Sequence, residues 1–179
     1  AGQSIVVTDP KGELYARISA LYKSLGYKVI SINLRNPSEG NAWNPLSIPY
    51  EFYNKSELRD KAMELIYDLG LNIFFDKLNQ NADPFWEKSA SNYFAGLVLG
   101  LFEDANEKEI NLNSVINMSE KGQEKFGGST YIKEYFGLKD KSSISYTNAA
   151  GTVNAPSDTQ GSILSVFNQK LTIFSSKIE

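Results

Sequence analysis

Thr8-Asp9-Pro10-Lys11-Gly12-Glu13 sets two carboxylates and an ammonium close together. Lys11 could face a phosphate. Asp9 or Glu13 could hold a metal or orient a water. The segment follows an apolar, β-branched run, Ser4 to Thr8, and precedes a helical pattern. It would then lie where a strand's carboxyl end meets a helix N-terminus. Open α/β sheets bind ligands at that edge, and the exposed amides there favour anions. A purely structural role fits the same residues: Asp9 caps, Pro10 starts the helix, and Lys11 and Glu13 are solvated.

Other chemistry is narrowed by what is missing. There is no His and no Cys. That excludes a zinc finger, a disulfide scaffold, a thiol nucleophile and any Ser-His-Asp or Cys-His set. No G-x-x-x-x-G-K-[ST] occurs, and no apolar strand ends in Asp-Glu. Phe126-Gly127-Gly128-Ser129-Thr130 is glycine-rich, but it lacks both the lysine and the preceding strand of a phosphate loop, so it reads as just a loop. Glu103, Asp104, Glu107 and Glu109 lack the alternating ligands and central glycine of a calcium loop and read as a solvated connector. Trp43-Asn44-Pro45-Leu46 and Asp83-Pro84-Phe85-Trp86 pair aromatics with prolines. Without interleaved Arg or Lys, core anchoring is a better account of them than base stacking.

The 179 residues are 41% hydrophobic and 22% charged, an ordinary globular composition. Net charge is −3, unevenly spread. Residues 1–50 hold 5 bases and 3 acids, and residues 121–179 hold 7 bases and 5 acids, each net +2. Residues 51–120 hold 6 bases and 13 acids, net −7. This middle third should repel nucleic acid and could attract a basic protein surface, or serve only as a solvated face. The start has no basic n-region of a signal peptide. The most apolar run, Tyr93 to Phe102, is ten residues long, against roughly 20 needed to cross a bilayer. The chain is expected to be soluble.

These candidates need elements to hold them. Ser4–Thr8 reads as a buried strand. Asp9-Pro10 reads as a helix start, Leu14 to Leu25 as the helix, Gly26 as its C-terminal cap, and Tyr27–Asn33 as a second strand. Together they predict a βαβ unit with parallel strands. Leu34 to Tyr53, with Pro37, Pro45 and Pro49, reads as irregular, with Trp43 anchoring it to the body. Beyond residue 54 the pattern is helical. One helix carries Leu58 to Leu69. A second opens at Asp83-Pro84, carries Trp86 to Leu101 and should be the most buried, with Gly96 and Gly100 admitting a close neighbour. Shorter helices cover Asn113–Met118 and Tyr131–Phe136, broken by Gly127-Gly128. A last helix opens at Pro156, with Ile163, Leu164, Phe167, Leu171 and Phe174 on one face.

Several short motifs, in order, resemble one family. Ser4-Ile-Val-Val-Thr-Asp-Pro-Lys-Gly-Glu-Leu-Tyr15 is similar to the DPKGE segment of type IV secretion coupling proteins, the TraG/TraD-type conjugative DNA-transfer ATPases. Gly26-Tyr-Lys-Val29, Asn33-Leu34, Trp43-Asn-Pro-Leu46, Asp83-Pro-Phe-Trp-Glu87 and Ser162-Ile-Leu-Ser165 with Lys170-Leu171 and Phe174 follow in the family's order. The flavour resembles that of Gram-positive conjugative elements.

The resemblance implies a larger, membrane-anchored parent, a hexameric ATPase on the cytoplasmic side of the cell membrane, using ATP and Mg. It implies an α/β fragment plus a mainly α part: a βαβ unit of a RecA-like motor domain carrying an all-helical inserted domain. On this reading residues 1–50 are partial motor domain, 51–155 the all-alpha domain, and 156–179 a helix returning to the motor. Implied partners are relaxase and DNA-processing accessory proteins, channel components of the secretion system, and DNA through the full hexamer. Asp9, Lys11 and Glu13 would lie near the nucleotide. With neither nucleotide motif, this chain is expected to hold no cofactor and not to hydrolyse ATP alone. It is expected to be monomeric or weakly self-associating. The acidic middle gains a role as a docking face, with Glu57, Asp60, Glu64, Asp68, Glu103, Asp104, Glu107 and Glu109 as candidates. Two rivals stay open: an autonomous nucleotide-binding enzyme built on Asp9, Lys11 and Glu13, and direct DNA binding by the helical part.

Overall fold

The computed structural model describes residues 2–33, 35–75 and 83–174. Leu34, where the irregular segment was predicted to begin, lies outside the described residues. The chain divides into two compact units, Ala1–Trp43 and Asn44–Glu179.

In the first unit, helix α1 spans Glu13–Ser24. It starts three residues later than Asp9-Pro10 predicted. Gly12 takes the N-cap position at φ 74°, and the Asp9 carboxylate reaches forward to accept the Tyr15 N–H at 2.8 Å. Asp9 therefore does cap the helix, from outside it. The C-terminus matches the sequence. Gly26, at φ 84°, donates to the Lys23 carbonyl, and Tyr27 N–H donates to the Tyr22 carbonyl. This is a Schellman motif, and the Tyr22 and Tyr27 rings meet edge-on at 5.3 Å to close it.

The two predicted strands do not form. Residues 4–8 and 27–33 carry no strand ladder, and Val6 is fully exposed. No residue of α1 is buried. A parallel strand needs a partner beside it and helices over both faces, and the described residues offer Ser4–Thr8 neither. Apolar, β-branched composition states a demand for cover without supplying it.

The second unit is helical. Its elements are α2 (Ser47–Tyr53), α3 (Arg59–Phe74), α4 (Phe85–Asp104), α5 (Leu112–Gly122), α6 (Tyr131–Gly137), α7 (Ile144–Val153) and α8 (Ser157–Leu171). Between α5 and α6 lies a two-stranded antiparallel hairpin, β1 (Lys125–Phe126) and β2 (Ser129–Thr130). The predicted irregular stretch is thus helical over Ser47–Tyr53. Pro49 is buried in the first turn of α2, where its missing N–H breaks no helical bond.

Helix α4 is the axis of this unit, with α3, α5, α7 and α8 packed around it. Its buried residues run all round the helix, from Ala90 to Phe102, as a central helix requires. Phe74 of α3, Tyr93 and Phe94 of α4 and Phe167 of α8 form the aromatic centre. Phe74 stacks on Phe167 at 5.6 Å, and Tyr93 meets Phe167 edge-on at 5.2 Å. The last helix presents Ile163, Phe167 and Leu171 to the core, as its spacing predicted.

The longest contact of α4 is with α7, a helix the apolar periodicity missed. Helix α7 buries Ser145, Ala149, Thr152 and Val153, mostly small residues. They fit because Gly96 lies against them: a Cβ at Gly96 would stand 2.7 Å from the Cβ and from the backbone N of Ala149. Gly100 likewise faces the Tyr135 hydroxyl. Both glycines admit neighbouring helices, as expected.

Trp43 corrects a second expectation. It is 61% exposed, where an anchor would be buried. The anchoring is done just beyond it. Leu46 is wholly buried, and the Asn44 side chain donates to the Ile110 carbonyl at 2.6 Å while accepting the Leu46 N–H. In the other aromatic cluster, Asp83 accepts the Phe85 N–H at 3.0 Å and Trp86 packs on the core edge, while Phe85 stays half-exposed.

Candidate functional site

The sequence proposed two sets of site residues, and they fall in different units. In the first, Asp9 is engaged in capping α1, and Lys11 and Glu13 are exposed, with no ion pair among the described residues. No cluster of three or more potential metal-ligating side chains forms among the described residues.

The acidic candidates divide further. Asp60, Glu64 and Asp68 recur every four residues on α3, whose opposite face buries Ala62, Met63, Ile66, Gly70 and Phe74. This spacing stacks the three carboxylates along one exposed stripe. Glu57 precedes them in a 3₁₀ turn, Ser56–Leu58, and stays exposed. Glu64 is paired with Lys61 at 2.7 Å. Asp60 and Asp68 have no ion pair among the described residues. Tyr67 and Leu71 interrupt the stripe as half-exposed apolar side chains.

At the C-terminal end of α4, Glu103 and Asp104 are drawn into a network the sequence could not display. Lys139, just past α6, puts its ammonium 2.7 Å from Glu103 Oε2 and 2.6 Å from Asp104 Oδ2. The Tyr135 hydroxyl donates to Asp104 Oδ2 at 2.6 Å, and Ser145 Oγ donates to Glu103 Oε2 at 2.9 Å. The cluster ties α4 to α6 and α7. Burial alone would raise the Asp104 carboxyl, but hydrogen bonds from Lys139 and Tyr135 outweigh it and hold the group below its ordinary range. Burial would lower Lys139, yet the two carboxylates raise it. Tyr135 is pushed well up, by burial first and then by its bond to Asp104. Tyr53 is raised too, by burial and by the charge of Glu103.

Glu109 serves structure as well. With Asn106 it forms a capping box on the 3₁₀ turn Glu107–Glu109: it accepts the Asn106 N–H at 2.9 Å, and that bond holds its carboxyl below the usual value. Glu107 is exposed and outside that box. Of the eight acidic candidates, Glu103, Asp104 and Glu109 are therefore committed to holding the fold. Glu57, Asp60, Asp68 and Glu107 remain presented to solvent, with Glu64 shared with Lys61.

The family model for type IV secretory system conjugative DNA transfer matches residues 1–178, across both units. The chain belongs to that family. Comparison with curated proteins and with solved structures gives no match. In this conjugative-transfer chain no helix among the described residues is long and apolar enough to cross a membrane. Among the described residues, the unit Asn44–Glu179 is mainly α, with one small antiparallel hairpin.

Proposed function

We propose that this chain supplies the cargo-recognition part of a conjugative coupling protein: an all-alpha domain flanked by slices of a RecA-like motor domain. In the full-length protein, a hexamer at the cytoplasmic side of the membrane hydrolyses ATP with Mg to drive DNA transfer. This chain's own task is docking the relaxase–DNA complex and its accessory proteins. Asp9, Lys11 and Glu13 act near the motor's nucleotide only when the rest of the motor is present.

The family match along both units carries the reading. Two further observations support it. Ile5, Val6, Val7, Ile30 and Ile32 stay exposed, as side chains a larger sheet would cover. The unpaired carboxylates of Asp60 and Asp68 flank Tyr67 on α3, giving a basic partner both charge and apolar contact. Acidic docking faces speed encounter with basic proteins and lose that advantage as salt rises.

The test is surface-immobilised binding of the full chain to a relaxase from the same conjugative element. Association should slow steeply with salt, and Asp60→Lys with Asp68→Lys should slow it about tenfold. No binding to any processing protein of the element would refute the reading. Calorimetry with ATP and magnesium should be flat; heat that is lost in Lys11→Ala would replace this function with an enzymatic one.

A further inference from the structure

We propose that the recess beneath the Gly127–Gly128 turn is a phosphate-binding pocket. It is a cavity of about 410 Å³ between the β1–β2 hairpin, α6 and the start of α8. The glycine-rich segment lacks a phosphate loop's lysine in sequence, yet the fold brings two to it. Lys125 enters from β1 and Lys133 from the first turn of α6, and both line the cavity. Neither forms an ion pair among the described residues.

The hairpin explains how the donors come together. Lys125 pairs with Thr130 and Phe126 with Ser129, so the two glycines form a two-residue turn. Gly127 takes φ 59° and Gly128 stays outside the left-handed region, the φ pattern of a type II′ turn. A side chain at Gly127 would be strained, and without one the backbone lies open to the recess.

Ser129 also lines the cavity. Thr130 and Ser157 add hydroxyls and Gln160 an amide. Ser157 is also the first residue of α8, whose leading amides favour an anion. Two ammoniums and several hydroxyls exceed what the two oxygens of a carboxylate accept. They suit the four oxygens of a phosphate. The volume leaves room for what the phosphate is attached to. This site is separate from the α3 stripe and does not depend on cargo docking.

Titration of the full chain with inorganic phosphate, followed by amide resonances against chloride at matched ionic strength, tests the proposal. Gly127 to Thr130 and Ser157 should shift saturably. Lys125→Ala and Lys133→Ala should each weaken binding about tenfold, whereas Lys141→Ala, an exposed lysine off the pocket, should not. A short single-stranded oligonucleotide forms the second arm. Shifts of the same residues assign the phosphate to a polynucleotide; shifts with inorganic phosphate alone assign it to a small phosphorylated ligand. Absence of saturable shifts in both arms, or equal loss in Lys141→Ala, would overturn the pocket.

Discussion

Replacing Gly96 with alanine tests the packing that defines the helical unit. Inside a helix the exchange should help, because glycine costs about 1 kcal/mol relative to alanine there. The structure predicts the opposite sign. The new methyl would stand 2.7 Å from Ala149 Cβ, 2.7 Å from Ala149 N and 3.0 Å from Ala149 Cα. Ordinary carbon contacts lie at about 3.5–4.0 Å. All three atoms belong to helix backbone or to a Cβ, so no rotamer change relieves the clash. Helices α4 and α7 must part by about 1 Å along their longest contact, and a gap of that size forfeits a quarter to a half of each dispersion well it opens. Overpacking of this kind costs about 1–3 kcal/mol, and the loosened interface adds to it. Against the propensity gain of about 1 kcal/mol, the net loss should be about 2 kcal/mol.

That loss corresponds to a melting temperature lower by roughly 4–8 °C for a chain of this size. Trp86 on α4 reports the unfolding, in a Trp43→Phe background that removes the other, exposed tryptophan. Gly151→Ala on α7 is the internal control. A Cβ there meets nothing within 4 Å and the residue is exposed, so this variant should be more stable by about 0.5–1 kcal/mol. Ala149→Gly should only partly rescue Gly96→Ala, because the backbone N of residue 149 stays in the way. A Gly96→Ala protein as stable as its parent would refute the close-approach reasoning.

Three other perturbations probe the same unit. Lys139→Met keeps the apolar stem but strands Glu103 and Asp104; with Asp104 about half exposed, urea unfolding should show a loss of about 1–2 kcal/mol, and Glu103→Gln should be non-additive with it. The Asp104 carboxyl sits below its unfolded value of 3.8 in the folded chain, so its contribution is complete above that pH and drains as pH falls through the lower folded value. The gap in urea midpoint between parent and Lys139→Met should therefore hold near pH 5 and close as the pH falls below 3.8 into acid. Asn44→Ala removes the 2.6 Å bond to Ile110 and leaves that carbonyl unpaired, which should cost about 1–2 kcal/mol in the same assay.

The fold was legible where one helix buries a stripe of large side chains. Leu58 to Leu69, Trp86 to Leu101 and Ile163 to Phe174 all declared themselves by spacing, and Gly26 declared the end of α1. It was illegible where small residues pack. Ser145, Ala149 and Thr152 carry no hydrophobic signal, and α7 becomes a core helix only because Gly96 lies opposite. Prolines misled between Leu34 and Tyr53, since Pro49 in a first helical turn breaks nothing. Ser4–Thr8 misled in the other direction. Its composition describes the environment a strand prefers, and pairing partners distant in sequence decide whether that environment exists.

The site was less legible, because net charge counts carboxylates without asking what they face. The value of −7 over residues 51–120 omits Lys139, which lies beyond the segment and pairs with both Glu103 and Asp104 in space, offsetting one of their two charges. Glu109 is spent on a capping box that Asn106 and its spacing could have revealed. Of the eight acidic candidates, those still presented to solvent without an ion pair among the described residues are Glu57, Asp60, Asp68 and Glu107, and of these Asp60 and Asp68 share one helical face with Tyr67 between them. The same logic runs in reverse at the Gly127–Gly128 turn. The segment itself holds no lysine, while hairpin register and the first turn of α6 bring Lys125 and Lys133 to one cavity. In both places the charge that matters is set by which side chains the backbone returns to the same point, and segment sums average that away.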